Sequence, residues 1–385
     1  MANNNENKVL NVPNLRFPEF SGEWKKCTID DLCEEFKSGK NIKADNILNE
    51  GEYPVFGGNG LRGYTDCYNH EGDYVLIGRQ GALCGNIRFV TGKTYITEHA
   101  IAAKATNNNN TRFLESLFIQ LNLGKFSDQS AQPGLAVNKL LKIETSVPSK
   151  DEQEKIASLL QNIDKRIATQ NKIIDKLQSL IKGLNDDIHK NMKGELVCFA
   201  DLGEAYAGLS GKSGDDFGCG EPFITYMNVY QNTYISEKDY ELVQIAPNEK
   251  QNCVQYGDAL FTLSSETPEE VGMGAVYLGS AQKLYLNSFC FGVHFHDDRV
   301  LPQYLTHFIS STSFRKTIYP LAQGSTRFNL QKNDFMKMEF VLPTLKEQKR
   351  IAQSLDALHC RLANEKLLAE RYLLLKQHLL SQMFI

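Results

Sequence analysis

The sequence predicts an α+β protein in which two β-rich domains are separated by two long antiparallel coiled-coil helices, with a pseudo-two-fold internal repeat. Three observations carry this reading. First, one motif occurs twice, about 195 residues apart. Residues 152–168 read Glu152-Gln153-x-x-Ile156-Ala157-x-x-Leu160 and then Arg166-x-Ala168. Residues 347–363 read Glu347-Gln348-x-x-Ile351-Ala352-x-x-Leu355 and then Arg361-x-Ala363. Solenoid units run roughly 20–50 residues, so a period near half the chain means two domain-sized halves. Second, each copy follows a proline (Pro148, Pro343) and opens a long amphipathic stretch. Third, the segment before each copy alternates short apolar runs with Gly/Asn turns, the pattern of strands joined by loops.

In chain order the expected divisions are a polar tail and lead-in at 1–20, a first domain at 21–147 and a first helix at 148–192. A second domain at 193–343 and a second helix at 344–385 follow. In the first helix Leu160, Ile167, Ile174, Ile181 and Ile188 recur every seven residues. Ile156, Ile163, Leu177 and Leu184 fill the other seam position, which Gln170 alone interrupts. A 3.5-residue period sustained over several heptads is a coiled-coil signature. Roughly 38 residues at 1.5 Å each give a rod of about 57 Å. The second helix starts in the same register with Ile351, Leu355, Leu358 and Leu362, places Glu365 where Gln170 stood, and then drifts to Leu368, Tyr372, Leu375 and Leu379. The matched polar interruptions predict that Gln170 and Glu365 face each other across the pseudo-two-fold axis, a buried polar layer that fixes register. The rival reading is two unrelated amphipathic helices, each packed on its own domain.

In the first domain the runs Tyr74-Val-Leu-Ile77, Asn86-Ile-Arg-Phe-Val90 and Tyr95-Ile-Thr97 read as strands. In the second, Phe223-Ile-Thr-Tyr226, Ala259-Leu-Phe-Thr262 and Ala275-Val-Tyr-Leu278 do. Anchors match across the halves: Asp31-Leu32 with Asp201-Leu202, Gly72-Asp73 with Gly257-Asp258, and Phe113-Leu114 with Tyr304-Leu305. Ala131-Gln132 followed by Asn138 pairs with Ala322-Gln323 followed by Asn329. The plan is shared and the loops differ, as expected of two domains doing one task on different targets.

Composition sets outer bounds. Hydrophobic residues at 42% and charged residues at 23% fit a soluble globular chain. No apolar run approaches the roughly 20 residues of a membrane span, and the Asn-rich start lacks a signal-peptide pattern. Nine scattered cysteines with no Cys-x-x-Cys pair argue against a zinc ribbon and fit a reducing cytoplasm. The net charge of −4 argues mildly against a nucleic-acid binder, but local clustering of Lys and Arg decides phosphate attraction.

Three motifs imitate chemistry. Gly58-Asn-Gly60-Leu-Arg-Gly63 has dinucleotide-loop spacing, yet turn-like residues follow it where a helix is needed. Gly208-Leu-Ser-Gly211-Lys212-Ser213 ends like a phosphate loop but has Tyr206 where the first glycine belongs. His294-x-His296 could set two imidazoles on one strand face, with no third metal ligand evident. No catalytic constellation and no metal site is proposed by these residues.

The order of variable-looking domain, Glu-Gln-x-x-Ile-Ala helix, second such domain and second such helix resembles the specificity (S) subunit of type I restriction–modification systems. The lead-in Leu15-Arg-Phe-Pro-Glu-Phe-Ser-Gly-Glu-Trp24 is similar to the segment opening the first target-recognition domain of many such subunits. Tyr53-Pro-Val-Phe-Gly-Gly-Asn-Gly60, Ile77-Gly-Arg-Gln-Gly-Ala82 and the stretch from Lys212-Ser213 to Phe223-Ile-Thr-Tyr-Met-Asn228 are similar to recurrent target-recognition sequences. The resemblance spans essentially the whole chain. It implies a non-catalytic, cytoplasmic subunit whose two domains each read half of a bipartite double-stranded DNA site, with the helices as the spacer ruler. It also implies two modification (methyltransferase) subunits bringing S-adenosylmethionine and restriction subunits using ATP and Mg, with no cofactor on this chain and no membrane. Linking two readers in this way sets half-site separation and raises the effective concentration of the second contact.

Polar side chains on Gly-rich loops suit base reading, because glycine lets backbone approach DNA and Arg, Asn and Gln can bridge base edges. The expected DNA-binding residues are Lys40, Asn59, Arg62, Arg79, Gln80, Gln132 and Asn138 in the first domain. In the second they are Lys212, Ser213, Tyr226, Asn228, Ser265, Gln323, Thr326 and Arg327. The competing functional readings are a protein-binding scaffold on a coiled-coil spacer and a nucleotide-using enzyme built on the Gly58 loop.

Overall fold

The structure is a computed structural model and describes residues 10–127 and 134–385. It divides into two compact units, one built from the chain up to Asn171 together with Leu367–Ile385, the other from Lys172–Lys366. Each unit therefore takes the first half of one long helix and the second half of the other.

In unit 1 the elements are β1 (Lys25–Thr28), α1 (Ile29–Leu32), β2 (Cys33–Ser38), β3 (Tyr53–Gly57), β4 (Gly60–Thr65), β5 (His70–Glu71) and β6 (Tyr74–Gly78). They continue with β7 (Ile87–Val90), β8 (Lys93–Ile96), β9 (Ala100–Ala105), α2 (Thr111–Leu121), α3 (Val137–Leu141), β10 (Glu144–Val147) and the start of α4 (Lys150–Lys190). One four-stranded sheet runs β2-β9-β6-β7, a second runs β4-β3-β8-β5, and β1 pairs with β10. Period-2 alternation in β6 explains the layering. Val75 and Ile77 join Phe113, Leu117, Ile156 and Leu160 on the helix side. Tyr74 and Leu76 join Ile96, Ala102 and Phe56 between the sheets.

Unit 2 repeats the plan. Its elements are β11 (Glu195–Cys198), α5 (Phe199–Leu202), β12 (Gly203–Ala207), β13 (Phe217–Ile224), α6 (Tyr226–Gln231), β14 (Tyr240–Val243), β15 (Ala259–Thr262), β16 (Ser264–Ser265) and β17 (Gly274–Val276). After them come β18 (Tyr285–Leu286), β19 (Cys290–Phe295), α7 (Pro302–Ser310), α8 (Thr312–Ile318), β20 (Ala322–Gln323), β21 (Phe328–Leu330), α9 (Lys332–Met336), β22 (Glu339–Leu342) and α10 (Leu345–Met383). The sheet β12-β19-β15-β17 matches β2-β9-β6-β7, and β11-β22 matches β1-β10. The parallel pair β13/β18 matches β3/β8. The strand expected over Phe223 to Tyr226 ends at Ile224, because Thr225 caps α6 by accepting from the Asn228 amide.

The anchors pair as expected at α1/α5, β6/β15 and α2/α7. The last pairing is corrected. Leu135 N–H donates to Arg79 O and Leu330 N–H donates to Leu263 O, while Gln80 bridges Gly134 and Ser264 pairs with Asn329. Gly134, not Asn138, is thus the counterpart of Asn329, and Asn138 lies on the short α3.

The repeated glutamine has the same job in both units. Gln153, 1% exposed, donates to Pro148 O (3.1 Å) and Asn109 Oδ1 (2.9 Å) and accepts from the Asn110 amide (3.0 Å). Gln348, 0% exposed, donates to Pro343 O (2.8 Å) and Arg299 O (2.7 Å) and accepts from the Leu301 amide (2.8 Å). In each unit one amide ties the long helix to its entry proline and to the loop that enters α2 or α7. The neighbouring glutamates differ. Glu152 is buried and receives a forked pair of hydrogen bonds from Arg16 of the lead-in (2.8 and 2.7 Å), whereas Glu347 pairs at the surface with Arg350.

Along α4 the buried and half-buried positions follow the expected seam from Ile156 to Ile188, Gln170 included. The drift expected in α10 does not occur. The heptad continues through Ala369, Tyr372, Lys376 and Leu379 to Met383, with Leu380 also buried beside it and Leu368 and Leu375 exposed. A lysine can hold a seam position here because its Nζ reaches Asp164 Oδ1 at 2.6 Å. That pair, with Leu380, Met383 and Phe384 sharing the core of Ile156, Ala157 and Leu160, sets the two helix segments of unit 1 antiparallel. In unit 2, Leu184, Ile188 and Met192 pack on the core of Ile351, Ala352 and Leu355. Gln170 is buried in unit 1. Glu365 is buried in unit 2, where Arg361 one turn earlier pairs with its carboxylate.

Candidate nucleic-acid interface

In unit 1 the predicted residues gather around the β3–β4 turn. Asn59 is exposed at its tip, and Gly60 (φ 105°) and Gly63 (φ 148°) adopt the left-handed backbone that only glycine holds without strain. The run with dinucleotide-loop spacing is thus a β-hairpin followed by strand, with no helix to meet a pyrophosphate. A Cβ on Gly58 would lie 2.7 Å from His99 O and 3.6 Å from Arg79 N, so the turn presses against the β8–β9 turn and the start of the loop after β6. There Arg79 N–H donates to His99 O (2.9 Å), Arg79 O accepts from Leu135, and the His99 ring lies 3.3 Å from Gln80 Oε1. Lys40 joins from the other side, its amide donating to Ile96 O beside Thr97, whose own amide donates to Phe56 O.

Lys40, Asn59, Arg62, Arg79 and Gln80 are therefore brought together. Gln132 lies outside the described residues, and Asn138 is exposed on α3, a separate element. Sequence reasoning missed Arg88. It is exposed on β7, and its guanidinium lies over Gly60, where a Cβ would meet Nη2 at 3.0 Å. The strand pattern Ile87-Arg88-Phe89 could have signalled it, because Ile87 and Phe89 pack into the helix-side core and turn Arg88 to the opposite face. Among the described residues, Lys40, Arg62, Arg79 and Arg88 form no ion pair, and the carboxylate in the same cluster, Glu98, pairs with His99.

In unit 2 the predicted residues that stay exposed lie around the β20–β21 hairpin, which by the Gly134/Asn329 match is not the counterpart of the β3–β4 turn. Gly324 (φ 141°) turns the chain, and Gln323, Thr326 and Arg327 are exposed around it. The hairpin pairs through β21 with β16, and Tyr226 Oη donates to Ser264 O (2.8 Å) while its ring stacks on Tyr230 at 5.9 Å. Ser265 is buried and its hydroxyl donates to Glu270 (3.1 Å). Hydrogen bonds from Tyr230, then Ser265 and Thr267, hold the Glu270 carboxyl below its ordinary range. Burial pushes the Tyr226 phenol up, so it stays neutral.

Besides Ser265, three expected residues in unit 2 are committed to the fold. The Lys212 ammonium is buried between Glu249 Oε2 and Gln244 O, both at 2.6 Å, and with Gln251 and the Ala246 amide it holds Glu249 down to about 2. Ser213 exchanges cap hydrogen bonds with Asp216, and neither residue belongs to a phosphate loop. Asn228, 2% exposed, donates to Ser236 O and accepts from the Ser236 amide. His294 is held by Asp258 (2.6 Å) and stacks on Tyr206 (4.3 Å), while His296 faces Glu204. Among the described residues no group of three or more His, Cys, Asp or Glu is placed to hold a metal ion.

Two similar units are also what comparison with known sequences finds. The profile described as "Type I restriction modification DNA specificity domain" matches twice, over residues 21–179 and 212–370. The chain belongs to this family. Among curated relatives, the "Type I restriction enzyme EcoprrI specificity subunit" of Escherichia coli is 40% identical over 154 residues, covering 39% of this chain and 38% of that relative. The match thus spans well under half of that protein's length. A putative type I restriction enzyme specificity subunit of Haemophilus influenzae is 22% identical over 87% of this chain and 86% of its own. The crystal structure of a type I restriction–modification S subunit from M. genitalium superposes with a TM-score of 0.63 at 14% identity, covering 97% of this chain and 99% of that one. At that identity the likeness concerns the fold of the specificity family. Among the described residues no helix is long and apolar enough to cross a membrane.

Proposed function

We propose that this chain is the DNA-reading subunit of a type I restriction–modification complex, with each unit reading one half of a bipartite duplex site. The observation that carries the reading is the family's specificity domain occurring twice, with a different set of exposed loop side chains on each copy. Unit 1 offers Lys40, Asn59, Arg62, Arg79, Gln80 and Arg88. Unit 2 offers Tyr226, Gln323, Thr326 and Arg327. The long helices set the spacer between half-sites, and the buried polar residues Gln170 and Glu365 mark matching places along them.

The chain is non-catalytic and acts in the cytoplasm. Two modification subunits dock on it and supply S-adenosylmethionine and the adenine-methylating site, and restriction subunits supply ATP- and Mg-dependent cleavage. The helix repeat supports this division of labour, because Gln153 and Gln348 serve the framework while the exposed loops vary.

The test is to assemble the chain with its modification subunits, methylate a DNA library and map the modified adenines. The expected result is one bipartite site with a fixed spacer, bound with a steep salt dependence. Methylation scattered without a bipartite pattern would refute the reading.

A further inference from the structure

Two glycines of the β3–β4 turn are spaces for arginines. A Cβ on Gly57 would lie 2.9 Å from Cδ of Arg62, so the Arg62 stem rests on that glycine. A Cβ on Gly60 would lie 3.0, 3.1 and 3.3 Å from Nη2, Cζ and Nε of Arg88. Three atoms of one planar group at nearly equal distance mean that the guanidinium lies flat over the Gly60 backbone. Arg88 comes from β7 in the sheet β2-β9-β6-β7, whereas Gly60 opens β4 in the other sheet, so the contact joins two layers. Among the described residues no carboxylate pairs with Arg88. Arg88 is exposed, and among the described residues its guanidinium makes no hydrogen bond within the chain, so its five donors are uncommitted while its face rests on Gly60, next in sequence to exposed Asn59.

A planar five-donor fork that rests face-on against backbone and lacks a counter-charge suits bidentate recognition of two adjacent acceptors. On duplex DNA that pair is O6 and N7 of guanine in the major groove. A phosphate-seeking cation gains less from such seating, because a mobile side chain serves it as well. We propose that Arg88 is a specificity-determining residue of the first half-site and reads a guanine there. This rests on the DNA-reading function proposed above and adds the residue and base class.

The experiment uses the complex assembled with its modification subunits. The wild-type site is mapped first, then Arg88→Ala and Arg88→Lys are compared on oligonucleotides carrying every base at each position of both half-sites. The expected result is a loss of discrimination at one guanine of one half-site, on the order of 10- to 100-fold, with the other half-site unchanged. Lysine keeps the charge but not the fork, so Arg88→Lys should retain the salt dependence and still lose discrimination. Replacing that guanine by 7-deazaguanine, which lacks the N7 acceptor, should weaken the wild type and leave both variants nearly unaffected.

Three results overturn the proposal: an unchanged site in both variants, a first half-site without guanine, or uniform weakening on all sequences with a shallower salt slope, which marks a phosphate contact. A wild-type complex with no defined site would instead sink the DNA-reading function itself. Unchanged unfolding of both variants checks that the fold is intact.

Discussion

The repeated glutamine lends itself to a quantitative test. Gln153→Met keeps side-chain length and apolar volume while removing two donated hydrogen bonds and one accepted bond. A net contribution of about 0.5–1.5 kcal/mol per bond, plus about 1–3 kcal/mol for stranding the Asn110 amide, gives a loss of roughly 2.5–7.5 kcal/mol, toward the lower end where the site relaxes. Gln348→Met removes three equivalent bonds, to Arg299 O, Pro343 O and the Leu301 amide, and the same range follows. The two sites share no partner, so their effects should add. The assay is hydrogen exchange of β6 and β15 under graded urea, which follows the two units separately. Gln153→Met should lower protection of β6 and Gln348→Met that of β15. A loss below about 1 kcal/mol in either variant, or an equal fall in both units, would refute the assignment of the glutamine as a unit-specific clamp.

Other perturbations follow from the same geometry. Arg16→Ala leaves the buried Glu152 carboxylate without its forked partner and should cost unit 1 about 3–5 kcal/mol by urea unfolding; Arg16→Ala with Glu152→Gln should recover part of it. Phe384 stacks on Phe113 at 5.3 Å and meets Trp24 edge-on at 6.3 Å, so Phe384→Ala should cost about 3–5 kcal/mol in unit 1 and leave β15 exchange unchanged. Burial, the leading cause, lowers the imidazole pKa of His189, His307 and His359 in unit 2. The unfolded chain then takes up protons first. The stability these groups confer is complete above their unfolded pKa of about 6.5 and is lost as pH falls toward their folded values. Unit 1 carries one such lowered histidine among the described residues, His70, so β15 protection should decline more steeply than β6 between pH 7.5 and 5.5; equal slopes would contradict this.

The helices and the duplicated plan were legible because their signals are periodic and local. Ile156 to Ile188 and the twin Glu-Gln motifs declare themselves within a few turns of chain. What misled in α10 was reading Leu368 and Leu375 as seam residues. Ala369 and Lys376 hold those places, and only the remote Asp164 makes a lysine acceptable there. The same distinction runs through the candidate interface. Arg62 and Asn59 sit in a turn that its glycines announce. Lys212 and Asn228 look just as available in sequence, yet Gln244, Glu249 and Ser236 arrive from other loops to engage them. Arg88 was overlooked because its neighbour is Gly60 of another sheet, a proximity created by layering and invisible along the chain.

The division into units has a consequence for biosynthesis. Unit 2 is one continuous stretch, Lys172–Lys366, lodged within the sequence of unit 1. Unit 1 is translated first, but Trp24, Phe113 and Leu160 lack Leu380, Met383 and Phe384 until the ribosome has passed through all of unit 2. The inner unit can settle as it emerges, while the outer one waits with an open apolar face for a segment more than 200 residues further on. The order of completion is thus the reverse of the order of synthesis, and the nascent first domain is the part whose apolar face stays open longest.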